Sequence, residues 1–262
     1  MGDEGDFFHK NQIDPYIYKI IGDPKGKTIY DLGCGNGYMS RHFAQNGAAV
    51  YASDESSKLI DEAKSKSEGL SIHYSTHDAT DFSQYKDGQF DAVVMNMVIH
   101  YIKNLDLLFE GISKILKPKG VFAFSTNHFF RPDYPYSLWE TGKIGDEERL
   151  FIKTTGYLQE EQREIISGWD KQTKMVIYNR PMKTFINTMA KYNLYIFEIH
   201  EPYSEGFAKD FSEELQKSHY IPTFIIIGAK KFAYSIDEKD LNKKLKEGAT
   251  KRAKRDVHLT LD

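Results

Sequence analysis

The 262-residue chain has one cysteine, two tryptophans and no apolar run near the roughly 18 residues that a membrane-spanning helix needs. A single cysteine excludes a disulfide framework within the chain and fits a reducing, intracellular setting, so a cytoplasmic location is expected. Neither sign of charge dominates. With 35 basic against 38 acidic side chains the formal net charge is -3, which argues against a protein that coats nucleic acid over its whole surface. The opening stretch MGDEGDFFHKNQ is acidic and lacks an apolar core, so no secretory signal is expected there. The histidines are scattered without ligand spacing, and no metal centre is expected. Internal repeats are absent. At about 100–200 residues per domain, the length fits one large domain or a domain with an inserted piece.

What is present is a rhythm. Between residues 27 and 127, short β-branched runs at 27–33, 48–54, 70–76, 90–96 and 120–126 alternate with stretches of helical period at 39–45, 57–67 and 105–116. Leu107, Leu108, Ile112, Ile115 and Leu116 recur at helical spacing in the last of these. The alternation predicts a βαβ architecture, a parallel sheet covered by helices on both faces. Pro118 and Gly120 are expected to stop the third helix and turn the chain into the fifth strand. Beyond it, residues 128–180 carry Pro132, Tyr134, Pro135, Tyr136, Trp139, Tyr157, Trp169 and Tyr178. That is too long and too aromatic for an ordinary connection, so an inserted cap is expected over about 128–190. A helix at 181–192 and strands at 194–199 and 223–229 follow, the two strands able to pair antiparallel. The domain is expected to end near residue 234. The segment 235–262 reads as a charged helix and tail, with seven basic residues and one acid between 243 and 255.

The stretch Asp31-Leu-Gly-Cys-Gly-Asn-Gly37 ends the first strand and opens the first helix of this rhythm. Its glycines let the chain turn through conformations closed to residues with a Cβ and let a ligand touch the backbone. A dinucleotide fingerprint would place its third glycine at position 38, which is Tyr38. Asp31, two residues before the first glycine, also suits a cationic ligand better than a pyrophosphate. About 20 residues on, Asp54 ends the second strand, where an acceptor-only carboxylate suits a vicinal diol and equally suits a helix N-cap. Cys34, between glycines, reads as a small loop residue.

The order and spacing of these residues resemble the class I S-adenosylmethionine-dependent methyltransferases, in their small-molecule branch, over about residues 15–127 and more weakly over 176–230. The resemblance implies an α/β, Rossmann-like, seven-stranded, mostly parallel sheet of order 3-2-1-4-5-7-6, with helices on both faces and the cap inserted after strand 5. It implies S-adenosylmethionine as cofactor, S-adenosylhomocysteine as product, and a small-molecule acceptor. Asp31, Gly33 and Gly35 would wrap the methionine part, and Asp54 would take both ribose hydroxyls. Glu55 stands where the family often packs an apolar residue on adenine. Asp78 would accept from the exocyclic amine, with Asp81 a near competitor, and Ala79 would offer its backbone N–H. Asn96 and Met97 would flank the methionine moiety, Met97 beside the adenine. His100 sits where a base could reach the acceptor, or forms part of the pocket wall. The sequence leaves open RNA methylation through the basic tail, nicotinamide-dependent oxidoreduction on a similar fold, a non-catalytic cofactor-binding protein, the oligomeric state and the identity of the acceptor.

Overall fold

The computed structural model describes residues 7–130, 137–154, 156–166, 172–203 and 222–232. Pro132, Tyr134, Pro135, Tyr136, Trp169 and the whole charged end 235–262 lie outside the described residues.

The predicted strands form one seven-stranded sheet. In chain order its first members are β1 (Thr28–Leu32), β2 (Ala49–Asp54), β3 (Ile72–Thr76), β4 (Phe90–Asn96) and β5 (Leu116–Asn127). After a 3-10 turn at Ile99–Tyr101 and the elements inserted behind β5, β10 (Leu194–His200) and β11 (Phe224–Lys231) complete it. The spatial order is β10-β11-β5-β4-β1-β2-β3. β1 pairs in parallel with β2 and β4, β2 with β3, and β4 with β5, whereas β11 runs antiparallel to both β5 and β10. The order expected from the resemblance, with a reversed strand between the fifth strand and the edge, is therefore the order observed.

Side-chain alternation explains why this sheet is covered on both faces. Tyr30, Leu32, Val93 and Met95 point into a core with α4 (Leu105–Ile115) and α5 (Met182–Lys191). Ile29, Ala92 and Val94 point the other way, into a core with α1 (Asp14–Ile21) and α2 (Tyr38–Gln45). α3 (Ser57–Lys66) covers β2 through Ile60, which packs with Ala52 and Cys34.

Two local readings are revised, and the insertion expected after β5 gains detail. The sequence reading places no element before residue 27, yet a π-helical turn at His9–Ile13 runs into α1, where Ile13, Ile17, Ile20 and Ile21 are buried at helical spacing. An eight-residue helix is marginal alone, so α1 persists by burying this face, each isoleucine contributing about 1.5–3 kcal/mol. The third predicted helix ends at Ile115, and LKPKG belongs to β5 as an irregularity between the pairs Phe90–Leu116 and Ala92–Val121, with Lys119 at φ 66°. The region between β5 and α5 holds two separate hairpins, β6 (Ser137–Ile144) with β7 (Glu147–Thr154) and β8 (Glu161–Ile166) with β9 (Lys174–Asn179). β9 packs against the 3-10 turn that follows β4. Among the described residues no helix is long and apolar enough to cross a membrane.

Candidate active site

Parallel pairing brings the carboxyl ends of β1, β2, β3 and β4 to one edge of the sheet, and with them Asp31, Asp54, Asp78 and Asn96. The loop after β1 makes the crevice. Gly33, Gly35 and Gly37 all have positive φ, at 75°, 55° and 74°, so the chain turns sharply into α2. At Gly33 the reason for glycine is also spatial, because a Cβ would lie 2.5 and 2.7 Å from the methyl groups of Val98. Gly35 is different: a Cβ there would meet nothing within 4 Å, so its backbone borders open space. The backbone N–H groups of Gly33 and Cys34 both donate to the Ser53 carbonyl at 2.8 Å, tying the loop to β2.

Asp54 holds the loop from the other side. One carboxylate oxygen accepts from the Gly35 N–H at 3.0 Å and the other from the Ser56 N–H at 2.9 Å. The N-cap of α3 is Ser56, whose hydroxyl accepts from Leu59 N–H at 3.3 Å, which removes the capping alternative for Asp54. A carboxylate offers about four lone-pair sites, so two remain on Asp54 beyond these bonds. Glu55 beside it is exposed. At the tip of β3, Asp78 is exposed and closes a short turn by accepting from the N–H of Thr80 at 2.7 Å and from its hydroxyl at 2.5 Å. Asp81, also exposed, accepts from Ser83 N–H at 3.0 Å. The two acids thus shape successive turns of one loop, with half-buried Ala79 between them packed on the α4 core.

Beneath the crevice lies Asp31, only 2% exposed. Burial pushes its carboxyl up to about 7; the Ser40 hydroxyl, donating at 2.5 Å, opposes the rise, and the carboxylates of Asp54 and Asp14 add to it. Asp31 therefore titrates near neutrality. A second chain of hydrogen bonds runs across the end of the sheet in one direction. Met97 N–H donates to Ser125 Oγ at 2.9 Å, and that hydroxyl donates to Asn96 Oδ1 at 2.5 Å. Asn96 Nδ2 donates to Tyr38 Oη at 2.6 Å, and Tyr38 donates to the buried Asp14 carboxylate at 2.9 Å. Met97, at φ 57°, is a non-glycine residue in the left-handed region, and this chain fixes its backbone there.

A model described as a methyltransferase domain matches residues 30–124, the span from β1 into β5 that carries this edge. An S-adenosylmethionine-dependent methyltransferase of known structure from Mesorhizobium loti superposes with a TM-score of 0.70 at 25% identity, covering 82% of this chain and 96% of that one. Residues 30–124 are a methyltransferase domain, set in the fold of the class I S-adenosylmethionine-dependent methyltransferases. An uncharacterized protein of Haemophilus influenzae is 26% identical over 83% of this chain and 86% of its own length. A ubiquinone biosynthesis O-methyltransferase of Coxiella burnetii is 34% identical, over 48% of this chain and 56% of that relative.

On the far side of Met97 the methyltransferase places His100 in the 3-10 turn, half-buried, with Nδ1 3.3 Å from Thr126 Oγ1. Burial pushes its imidazole down to about 4, so it is neutral at physiological pH. Burial likewise raises the Cys34 thiol, which keeps it protonated and fits the loop-residue reading. Among the described residues no group of three or more His, Cys, Asp or Glu could hold a metal ion. The sequence reading singled out Asp31, Gly33, Gly35, Asp54, Glu55, Asp78, Ala79, Asn96 and Met97, and the fold gathers them at the sheet edge and its loops. Their supports, Asp14, Tyr38, Ser40 and Ser125, were missed. The Asn96 amide, read as a ligand contact, is engaged at both ends by Tyr38 and Ser125.

Proposed function

We propose that this methyltransferase moves the methyl group of S-adenosylmethionine to a small-molecule acceptor and leaves S-adenosylhomocysteine. The observation that carries the reading is the buried Asp31 carboxyl beneath a glycine loop whose Gly35 borders open space. The residues fit the cofactor's chemistry. A carboxyl that titrates near 7 gains most from a cation placed beside it, and the α-ammonium of the cofactor supplies one. Gly33 and Gly35 would hold the methionine part, the spare lone pairs of Asp54 the ribose hydroxyls, with Glu55 at the rim. Asp78 and Ala79 would hold the adenine end. Met97 and the backbone around Asn96 would flank the methionine part and face the acceptor. The loops and the two hairpins that follow β5 would form the acceptor cap, in a protein working in the cytoplasm. The name of the Coxiella relative supports a small-molecule acceptor.

The bound cofactor brings a methyl group already activated on a sulfonium. What is left for the protein is alignment and exclusion of water, each tenfold in rate corresponding to about 1.4 kcal/mol. The chain from Met97 to Asp14 sets the wall against which the acceptor would align. His100, neutral and next to Thr126, would act as a hydrogen-bonding wall or take a proton from an acceptor hydroxyl. Titration calorimetry with S-adenosylhomocysteine, followed by incubation with methyl-labelled cofactor and a cell extract, tests the reading. Saturable binding and label in the small-molecule fraction are expected; no binding, or label only in RNA or protein, would overturn it.

A further inference from the structure

Beyond the cofactor edge, one half-buried charge has no task in the scheme above. Arg180 follows β9, the strand that packs against the 3-10 turn carrying His100, and it is half-buried. Its Nη2 donates to the Lys103 carbonyl, just beyond that turn, at 2.6 Å. The guanidinium carbon stands 5.0 Å from the centre of the Tyr178 ring. Its other terminal nitrogen, Nη1, is enclosed by protein and has no hydrogen-bond partner. Burial pulls the pKa of this group below the ordinary arginine value, with Glu160 opposing, yet a guanidinium keeps its charge in a protein. Glu160 stands close enough to oppose that shift, yet Nη1 makes no hydrogen bond to it.

An enclosed cationic donor left unfilled is costly, and such a group is retained most readily where a ligand completes it. Its surroundings say what kind of ligand. Phe130, about half exposed, stacks on Tyr157 with ring centres 5.2 Å apart, and the Tyr157 hydroxyl accepts from Met182 N–H, two residues past Arg180. Aromatic surface beside a planar, two-pronged cation fits a molecule with an apolar body and one carboxylate, because guanidinium and carboxylate match in paired hydrogen bonds. We propose that Arg180 anchors a carboxylate on the methyl acceptor and so sets the acceptor class as small aromatic or apolar acids. This rests on the methyltransferase reading. Since Nη1 is enclosed, the acid would reach it as the β8–β9 hairpin shifts against the 3-10 turn, which a two-stranded sheet not joined to the main one permits.

The test uses the full chain loaded with S-adenosylhomocysteine and two matched probes, benzoate and benzamide, followed by ligand-observed NMR. Benzoate should bind at least about tenfold more tightly than benzamide, the margin of a charge-assisted over a neutral contact. R180Q should abolish the preference and R180K should keep part of it, with thermal unfolding run on each variant to show that it folds. Equal binding of the two probes, no binding of benzoate, or a preference that survives R180Q would overturn the assignment. Calorimetry of S-adenosylhomocysteine on the same samples reports separately on the methyltransferase reading. If that ligand fails to bind, benzoate against benzamide on the unliganded chain still decides the role of Arg180.

Discussion

The replacement Asp31→Asn isolates the energetic cost of the site. Asp31 is buried beneath the glycine loop, and its carboxyl is raised from an ordinary 3.8 to about 7, chiefly by burial. Between those two pH values the folded protein holds a proton that the unfolded chain has released. Stability therefore falls as pH rises through this window, opposite to the usual behaviour of a paired aspartate, and the full loss is reached above pH 7. The rise corresponds to about 4 kcal/mol, an upper figure for what the ionised carboxylate costs the unliganded fold. Asparagine keeps an oxygen for the Ser40 hydroxyl and carries no charge. The variant should match the wild type near pH 4 and exceed it at pH 8, by on the order of 10 °C in melting temperature if the whole cost is recovered.

Binding should move the other way. A cationic ligand favours ionised Asp31, so wild-type affinity for S-adenosylhomocysteine should tighten by about tenfold per pH unit on approaching pH 7 and then level off. The variant should bind weakly with no such slope. Thermal unfolding from pH 4 to 8.5 and calorimetry over the same range read both effects. Parallel pH profiles for the two proteins, in stability and in binding, would refute the claim that Asp31 carries the charge the cofactor meets.

Three further outcomes follow from the same geometry. Asp54→Ala removes the acceptor for the Gly35 and Ser56 N–H groups as well as the expected ribose contact, and should weaken S-adenosylhomocysteine binding by on the order of 100-fold in calorimetry. Gly33→Ala places a Cβ against Val98 at a backbone φ of 75° and should destabilise the fold by about 2 kcal/mol or more in urea unfolding, whereas Gly35→Ala, facing open space, should cost less stability. Tyr38→Phe leaves the buried Asp14 carboxylate without its phenolic donor and should cost about 1–3 kcal/mol, with faster amide exchange at Met97 read by hydrogen exchange.

Local signals carried most of the fold into the sequence. β-branched runs of five to seven residues broken by glycine, and the regular return of leucine and isoleucine over 105–116, report elements whose pattern is set within one or two turns of chain. The glycine loop was legible for the same reason, since the positive φ values of Gly33, Gly35 and Gly37 are a local demand. The supports of the site were not. Asp14 and Asn96 lie 82 positions apart in the chain and meet through the hydroxyl of Tyr38, a residue whose place at the start of α2 gives no hint of a polar task. Helix α1 escaped notice because isoleucine and tyrosine are indifferent helix formers; the spacing of Ile13, Ile17, Ile20 and Ile21 was its one trace. In the hairpins β6–β7 and β8–β9, Ile144 and Ile166 are 63% and 64% exposed while Arg163 is buried, so no clean alternation of apolar and polar residues announces them.

That division also bears on how the chemistry is arranged. On the side proposed to hold the cofactor the groups are carboxyls held by backbone N–H groups and hydroxyls, an edge whose cost is visible in the raised pKa of Asp31. On the other side of Met97 the groups are a neutral imidazole, a set of aromatic rings and one incompletely bonded guanidinium, carried on a short turn and on hairpins outside the main sheet. A methyl group already activated on sulfur needs no strong base to leave, so the proposed acceptor side has only to align and enclose the molecule it would hold. The left-handed backbone of Met97 stands at the boundary between the two. Because its N–H is fixed through Ser125, Asn96 and Tyr38 to Asp14 on α1, the wall that would align the acceptor is set by the part of the chain that builds the cofactor crevice.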